Sequence, residues 1–181
     1  MRPMANIYLI GLMGVGKTTI GKQLAKALKR PFYDSDKVIE EAAGTDIPTI
    51  FSYEGEAGFR QREQKAIKEL TELSGIVLAT GGGAILKAEN REALKNSGFV
   101  VYLHCSIDKI LFRTRHDQQR PLLQTANPRQ RLQTLLTERE PLYLECADLS
   151  IDSGSMANKT VIKTILQQYQ AARNTHESIN R

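Results

Sequence analysis

Gly11-Leu12-Met13-Gly14-Val15-Gly16-Lys17-Thr18 is the stretch that decides the fold of this chain. It fits the spacing G-x-x-x-x-G-K-[ST], in which backbone N–H groups close around a polyphosphate. Just before it, Ile7-Tyr8-Leu9-Ile10 is a short apolar run that stops at a glycine, which predicts a buried strand feeding a turn. Beyond it, Ile20, Leu24, Ala27 and Leu28 share one helical face and Lys22, Lys26 and Lys29 the other, which predicts a helix packed on a sheet. Glycines remove Cβ obstruction around an anion, and the helix N-terminus adds unpaired donors and partial positive charge. Lys17 is then expected to bridge the outer phosphates of a nucleotide, and Thr18 to offer its hydroxyl to Mg2+.

Composition sets wide bounds around that loop. At 181 residues the chain is expected to form a single domain with a proper core. Its 41% apolar and 25% charged residues are ordinary for a globular protein, and no apolar run approaches the ~20 residues of a membrane span. Met1-Arg2-Pro3-Met4-Ala5-Asn6 runs straight into the first strand without a signal peptide, so a cytoplasmic location and no membrane partner are expected. Cys105 and Cys146 have no CxxC partner and read as reduced thiols in or near the core. The net charge of +5 suits an anionic ligand but is equally explained by solvated lysine faces.

Further along, Phe32-Tyr33 begins a short strand ending in Asp34-Ser35-Asp36, and ligands of open α/β sheets gather at such carboxyl ends. The bland alternative is a solvated turn in which Asp36 caps the helix carrying Val38, Ile39, Ala42 and Ala43. After Gly44, Ile47–Phe51 suggests a short helical turn, and Glu54-Gly55-Glu56 opens a longer helix striped by Phe59, Ala66, Ile67, Leu70 and Leu73. Arg60 and Glu63 fall on the side of that helix that faces protein, where Glu63 can fix the Arg60 fork for an anion. Ile76-Val77-Leu78-Ala79 ends in Thr80-Gly81-Gly82-Gly83, which implies close approach of backbone to a ligand or to another segment. This strand lacks the aspartate that commonly contacts the metal in phosphate-loop proteins, so Asp34 becomes the candidate for that duty.

Phe99 to Leu103 reads as a further buried strand, Ser106 as a helix N-cap, and Arg113 to Pro121 as a polar segment with the character of a mobile lid. Asn127-Pro128 opens a helix with Leu132, Leu135 and Leu136 inside and Arg139 pointing inward or along the core edge, after which Pro141-Leu142-Tyr143 is expected to break the chain. Leu149-Ser150-Ile151 is a plausible last strand, Val161 to Tyr169 stripe a closing helix, and the tail from Ala172 is expected to fray. Strand and helix alternate about five times, which implies a parallel three-layer α/β sheet. Arg60, Arg120 and Arg139 suit bidentate recognition of carboxylate or phosphate, and Asp36 can orient or deprotonate an acceptor hydroxyl. Together these residues describe a small-molecule kinase.

The set Gly11–Thr18, Asp34-Ser35-Asp36, Gly58-Phe59-Arg60 with Glu63, Thr80–Gly83, Arg120-Pro121-Leu122-Leu123 and Arg139-Glu140-Pro141-Leu142-Tyr143 resembles the shikimate kinase family, in order, over roughly residues 5–170. The resemblance implies a nucleoside monophosphate kinase-like fold with five parallel strands in order 2-3-1-4-5, and a monomer. It implies transfer of the ATP γ-phosphoryl group to the 3-hydroxyl of shikimate, in aromatic amino acid biosynthesis. Carried over by residue, Lys17, Asp36 and Arg120 are the catalytic set. ATP would be held by Gly14, Val15, Gly16, Lys17, Thr18, Thr19, Arg113 and Arg120, with Arg113 flanking adenine. Shikimate would be held by Asp36, Arg60, Gly81, Gly82, Gly83 and Arg139, and Mg2+ by Thr18 and, through water, Asp34. The substrate-binding segment would span about 34–62, the lid about 113–125 and the frayed tail 172–181. The nearest rivals are a gluconate kinase or another phosphate-loop kinase. A nucleotide-regulated RNA-binding protein is the rival from another class, although Trp is absent and no aromatic-and-basic platform is present, so no nucleic acid partner is expected.

Overall fold

The computed structural model describes residues 5–117 and 123–179. In chain order they form β1 (Asn6–Ile10), α1 (Lys17–Leu28), β2 (Phe32–Asp34), α2 (Ser35–Ala43), α3 (Ile47–Thr71), β3 (Val77–Ala79), a 3-10 turn (Ala84–Leu86), α4 (Ala88–Ser97), β4 (Gly98–His104), α5 (Ile107–Thr114), α6 (Pro128–Cys146), β5 (Leu149–Asp152) and α7 (Asn158–Ile179). The five strands make one parallel sheet in the order β2-β3-β1-β4-β5, as the family resemblance implied. Helices cover both faces, so the central strands read as continuous apolar runs rather than alternating ones: β1 is buried along its whole length. Ile7, Leu9, Ile10, Leu78, Val100, Val101 and Leu103 anchor a core that α1, α4, α6 and α7 close.

The carboxyl ends of β1, β2 and β3 lead into the phosphate loop, Asp34 and Gly81–Gly83, and so gather three polar segments at one edge of the sheet. α3 is held at its start by Asp46, whose side chain accepts from Thr49 N–H, and is broken at Gly55 (φ 68°), where the two expected helices meet. α6 begins as expected, with Asn127 accepting from Gln130 N–H and Pro128 in the first turn.

Local readings of the sequence, the bland alternative for Asp36 among them, differ from the structure at several places. The inner face of α1 runs through Ile20, Gly21, Leu24 and Ala25, and Ala27 is exposed at its margin. Leu73 lies past the end of α3 and is 41% exposed. Asp36 is not the cap of α2: Asp34 is, accepting from Asp36 N–H at 3.0 Å, which leaves the Asp36 side chain in the first turn. Most consequential, Pro141 does not break the chain. α6 continues through it to Cys146. Proline cannot donate to the carbonyl one turn back, but Thr137 and Pro141 are both exposed, so that carbonyl faces water and the helix tolerates the loss. Tyr143 and Cys146 then stay on the buried face. α7 runs on to Ile179, into the stretch expected to fray.

Candidate active site

Gly14 and Gly16 take φ of +78° and +102°, values that only glycine adopts without strain, and both line a cleft of about 610 Å³. α1 starts there with no side-chain cap and no acidic residue in its first turn. Its first N–H groups are thus left for an anion. Lys17 Nζ lies over the loop, donating to the carbonyls of Gly11 and Leu12 at 2.7 Å each. Arg113, in the last turn of α5, donates to the Gly14 carbonyl at 3.1 Å. The loop is anchored from below by buried Ser153, whose hydroxyl donates to the Val15 carbonyl at 2.6 Å.

Asp34 divides its two oxygens between structure and site. Oδ1 caps α2, while Oδ2 accepts from Thr18 Oγ1 at 2.8 Å. A hydroxyl and a carboxylate beside the phosphate loop are hard oxygen donors of the kind Mg2+ takes, since that ion keeps most of its waters and needs only one or two protein groups. No cluster of three or more His, Cys, Asp or Glu side chains suited to a metal occurs among the described residues.

Across the cleft lie two guanidinium groups that are almost wholly out of water. Arg60 is 8% exposed and Arg139 3%. Arg60 donates to Glu63 at 2.7 Å and to Glu56 at 3.3 Å, and Glu63 is 1% exposed. Burial pushes the Glu63 carboxyl up from its ordinary value, against the pull of Arg60 and Arg139. Among the described residues, Arg60 Nε, Arg139 Nε and Arg139 Nη1 have no hydrogen-bond partner. A buried donor without an acceptor is costly, so a pair of such groups lining a cleft points to an anion as their partner. The glycine run is shaped to this arrangement. A Cβ on Gly81 would stand 2.6 Å from Asp36 Oδ1 and 2.9 Å from Glu63 Oε2, and one on Gly83 would overlap the Arg60 guanidinium.

The family model for shikimate kinase matches residues 13–170. The chain belongs to the shikimate kinase family. It is therefore an ATP-dependent kinase. The chain is 54% identical to the shikimate kinase of Methylococcus capsulatus over 94% of this chain and 95% of the relative, and 55% identical to that of Nitrosococcus oceani over 90% and 86%. A solved structure of the Acinetobacter baumannii shikimate kinase in complex with shikimate superposes with a TM-score of 0.90 at 50% identity, covering 93% of this chain and 94% of that one. A gluconokinase from Sinorhizobium meliloti, at 17% identity and a TM-score of 0.58, shares the fold alone.

Within this member of the shikimate kinase family, Gly14, Gly16, Lys17, Thr18, Thr19, Asp34, Asp36, Arg60, Gly81, Gly82, Gly83, Arg113 and Arg139 all line the one cleft. Val15 is buried beneath the loop and does not line it. Arg120, with much of the expected lid, lies outside the described residues. Sequence reasoning passed over two residues that hold the site. Ser35 is fully buried and accepts the Gly81 N–H at 2.9 Å, and Tyr143 donates to the Gly82 carbonyl at 2.5 Å. The signal for Tyr143 was its i+4 spacing from Arg139, hidden by the break expected at Pro141. Ser35 carried no signal beyond its place between two aspartates. No helix among the described residues is long and apolar enough to cross a membrane.

Proposed function

We propose that this chain transfers the γ-phosphoryl group of ATP to the 3-hydroxyl of shikimate, with Arg60 and Arg139 receiving the shikimate carboxylate. The buried, unpartnered nitrogens of those two arginines, beside a phosphate loop, carry the proposal. Asp36 and the backbone of Gly81–Gly83 take the acceptor's hydroxyl side. Gly14 to Thr19 hold the phosphates, Arg113 flanks adenine, and Arg120 meets the phosphates. Thr18 and, through water, Asp34 would hold Mg2+, which supplies neutralisation of the β- and γ-phosphate oxygens. The enzyme acts as a monomer in the cytoplasm, with ATP and shikimate as its partners and neither nucleic acid nor membrane required.

Phosphoryl transfer passes through a loose transition state, so positioning and charge stabilisation do most of the work. Asp36 aligns the 3-hydroxyl with the γ-phosphorus and receives its proton late, as the new O–P bond forms and the bond to the β–γ bridging oxygen breaks to release ADP. Lys17 and Arg120 meet the charge on the transferred group. Steady-state ADP release with shikimate, with gluconate and with neither tests the proposal. Shikimate alone should raise ADP release by several orders of magnitude over the other two, and an equal response to gluconate would overturn it.

A further inference from the structure

Tyr143 is fully buried one turn beyond Arg139 on α6, and its ring stacks on Tyr102 with centroids 4.9 Å apart and planes 15° apart. Its hydroxyl donates to the Gly82 carbonyl at 2.5 Å across 61 residues of sequence. Arg139 stands one turn earlier on the same buried face of α6. A phenol has one proton to donate, and here it goes to the Gly82 carbonyl. Burial pushes the phenol well above its ordinary value, which keeps the proton in place at working pH.

We propose that the Tyr143 hydroxyl is a positioning group that ties the Gly82 peptide to α6 and so holds it in a fixed relation to Arg139 on the same helix. The peptide unit is planar, so fixing the Gly82 carbonyl also fixes the Gly83 N–H on its opposite edge. Arg139 shares α6 with Tyr143, and its buried Nε and Nη1 are unpartnered among the described residues. Gly82 and Arg139 are close neighbours in space: a Cβ on Gly82 would stand 3.4 Å from Arg139 Nη1. The stacked ring gives the hydroxyl its fixed origin. Ser35 holds the preceding residue of the same run through the Gly81 N–H, so the run is gripped from α2 on one side and α6 on the other.

The inference rests on the assignment of Arg139 and Gly82 to shikimate, and the test separates the two. Tyr143→Phe keeps the ring and its stack while removing the hydroxyl. Shikimate binding, measured by titration calorimetry without nucleotide and as KM in turnover, should weaken about tenfold, as expected for the loss of one hydrogen bond. The KM for ATP should stay within about twofold. In Arg139→Ala, adding Tyr143→Phe should cost clearly less than it does in the unaltered enzyme, because the relation it fixes is already lost. An unchanged shikimate affinity in Tyr143→Phe, or fully additive losses in the double variant, would overturn the coupling. So would failure of Tyr143→Phe to fold, or equal losses for both substrates with a lowered melting temperature, since either outcome means a purely structural tyrosine. If the unaltered enzyme does not bind shikimate, the assignment itself fails before Tyr143 is reached.

Discussion

Between Gly11 and Thr18 the groups proposed for the phosphates lie in eight consecutive residues, mostly as backbone N–H, and the turn depends on glycines at positive φ. On the other side of the same cleft, Asp36, Arg60, Gly82 and Arg139 come from α2, α3, the loop after β3 and α6, and most of their chemistry lies in side chains. The first half is local, so its geometry is guaranteed once β1 and α1 form. The second is assembled only when four distant segments pack together, and it depends on buried charges that must be paired. Damage to the two halves should therefore separate by substrate.

The largest effect is expected on the donor half. Lys17→Met removes the cation held over the loop by the Gly11 and Leu12 carbonyls. It should lower kcat by about 10²–10³-fold, as loss of one transition-state charge contact does. Shikimate affinity by calorimetry should be preserved, and its loss would show that the halves are not separable. An intermediate effect is expected from Gly83→Ala, whose Cβ would occupy the space of the Arg60 guanidinium. Displacing that group should cost about 1–3 kcal/mol and appear as a raised KM for shikimate, with the KM for ATP unchanged. A rise in both would mean that the glycine run supports the whole cleft.

The smallest effect belongs to the exposed pair beside the acceptor half. Arg62 grips Glu54 with two hydrogen bonds, of 2.9 and 2.7 Å, across the break at Gly55, and that fork holds the Glu54 carboxyl below its ordinary 4.5. A lowered folded-state value means stabilisation that is present above about pH 4.5 and fades as pH falls through the lowered value. Arg62→Gln should flatten the fall of the melting temperature between neutral pH and the acid side of that point. An unaltered profile would show that the fork contributes nothing measurable, as solvent-exposed pairs often do.

How much of each half was legible follows from the same contrast. The phosphate loop could be read directly because spacing and flanking elements sit in one stretch. Arg60 and Glu63 were legible because two charges interrupt an apolar helical stripe, a pattern that a solvated face does not produce. The sheet order 2-3-1-4-5 came from the family resemblance, since alternation of strand and helix does not determine which strands are neighbours. Ser35 and Tyr143 stayed hidden because each holds a backbone atom, of Gly81 and Gly82, 46 and 61 residues away, and a backbone partner leaves no mark in sequence. Tyr143 was further obscured by Pro141. Its proline rule holds locally, but the solvent exposure of Thr137 and Pro141 that makes it harmless is a tertiary fact. Asp34 against Asp36 as the cap of α2 was likewise settled only by where the strand ends.

The proposed contrast is between carboxylate recognition by buried Arg139 and a phosphate loop that works independently of it. Its most direct test is a cycle of four affinities: the unaltered enzyme and Arg139→Ala, each titrated with shikimate and with its carboxamide. On Arg139→Ala, shikimate should lose about a hundredfold in affinity, the carboxamide little, and ATP affinity should be the same in both proteins. Equal losses for the acid and the amide, or a parallel loss of ATP binding, would contradict it.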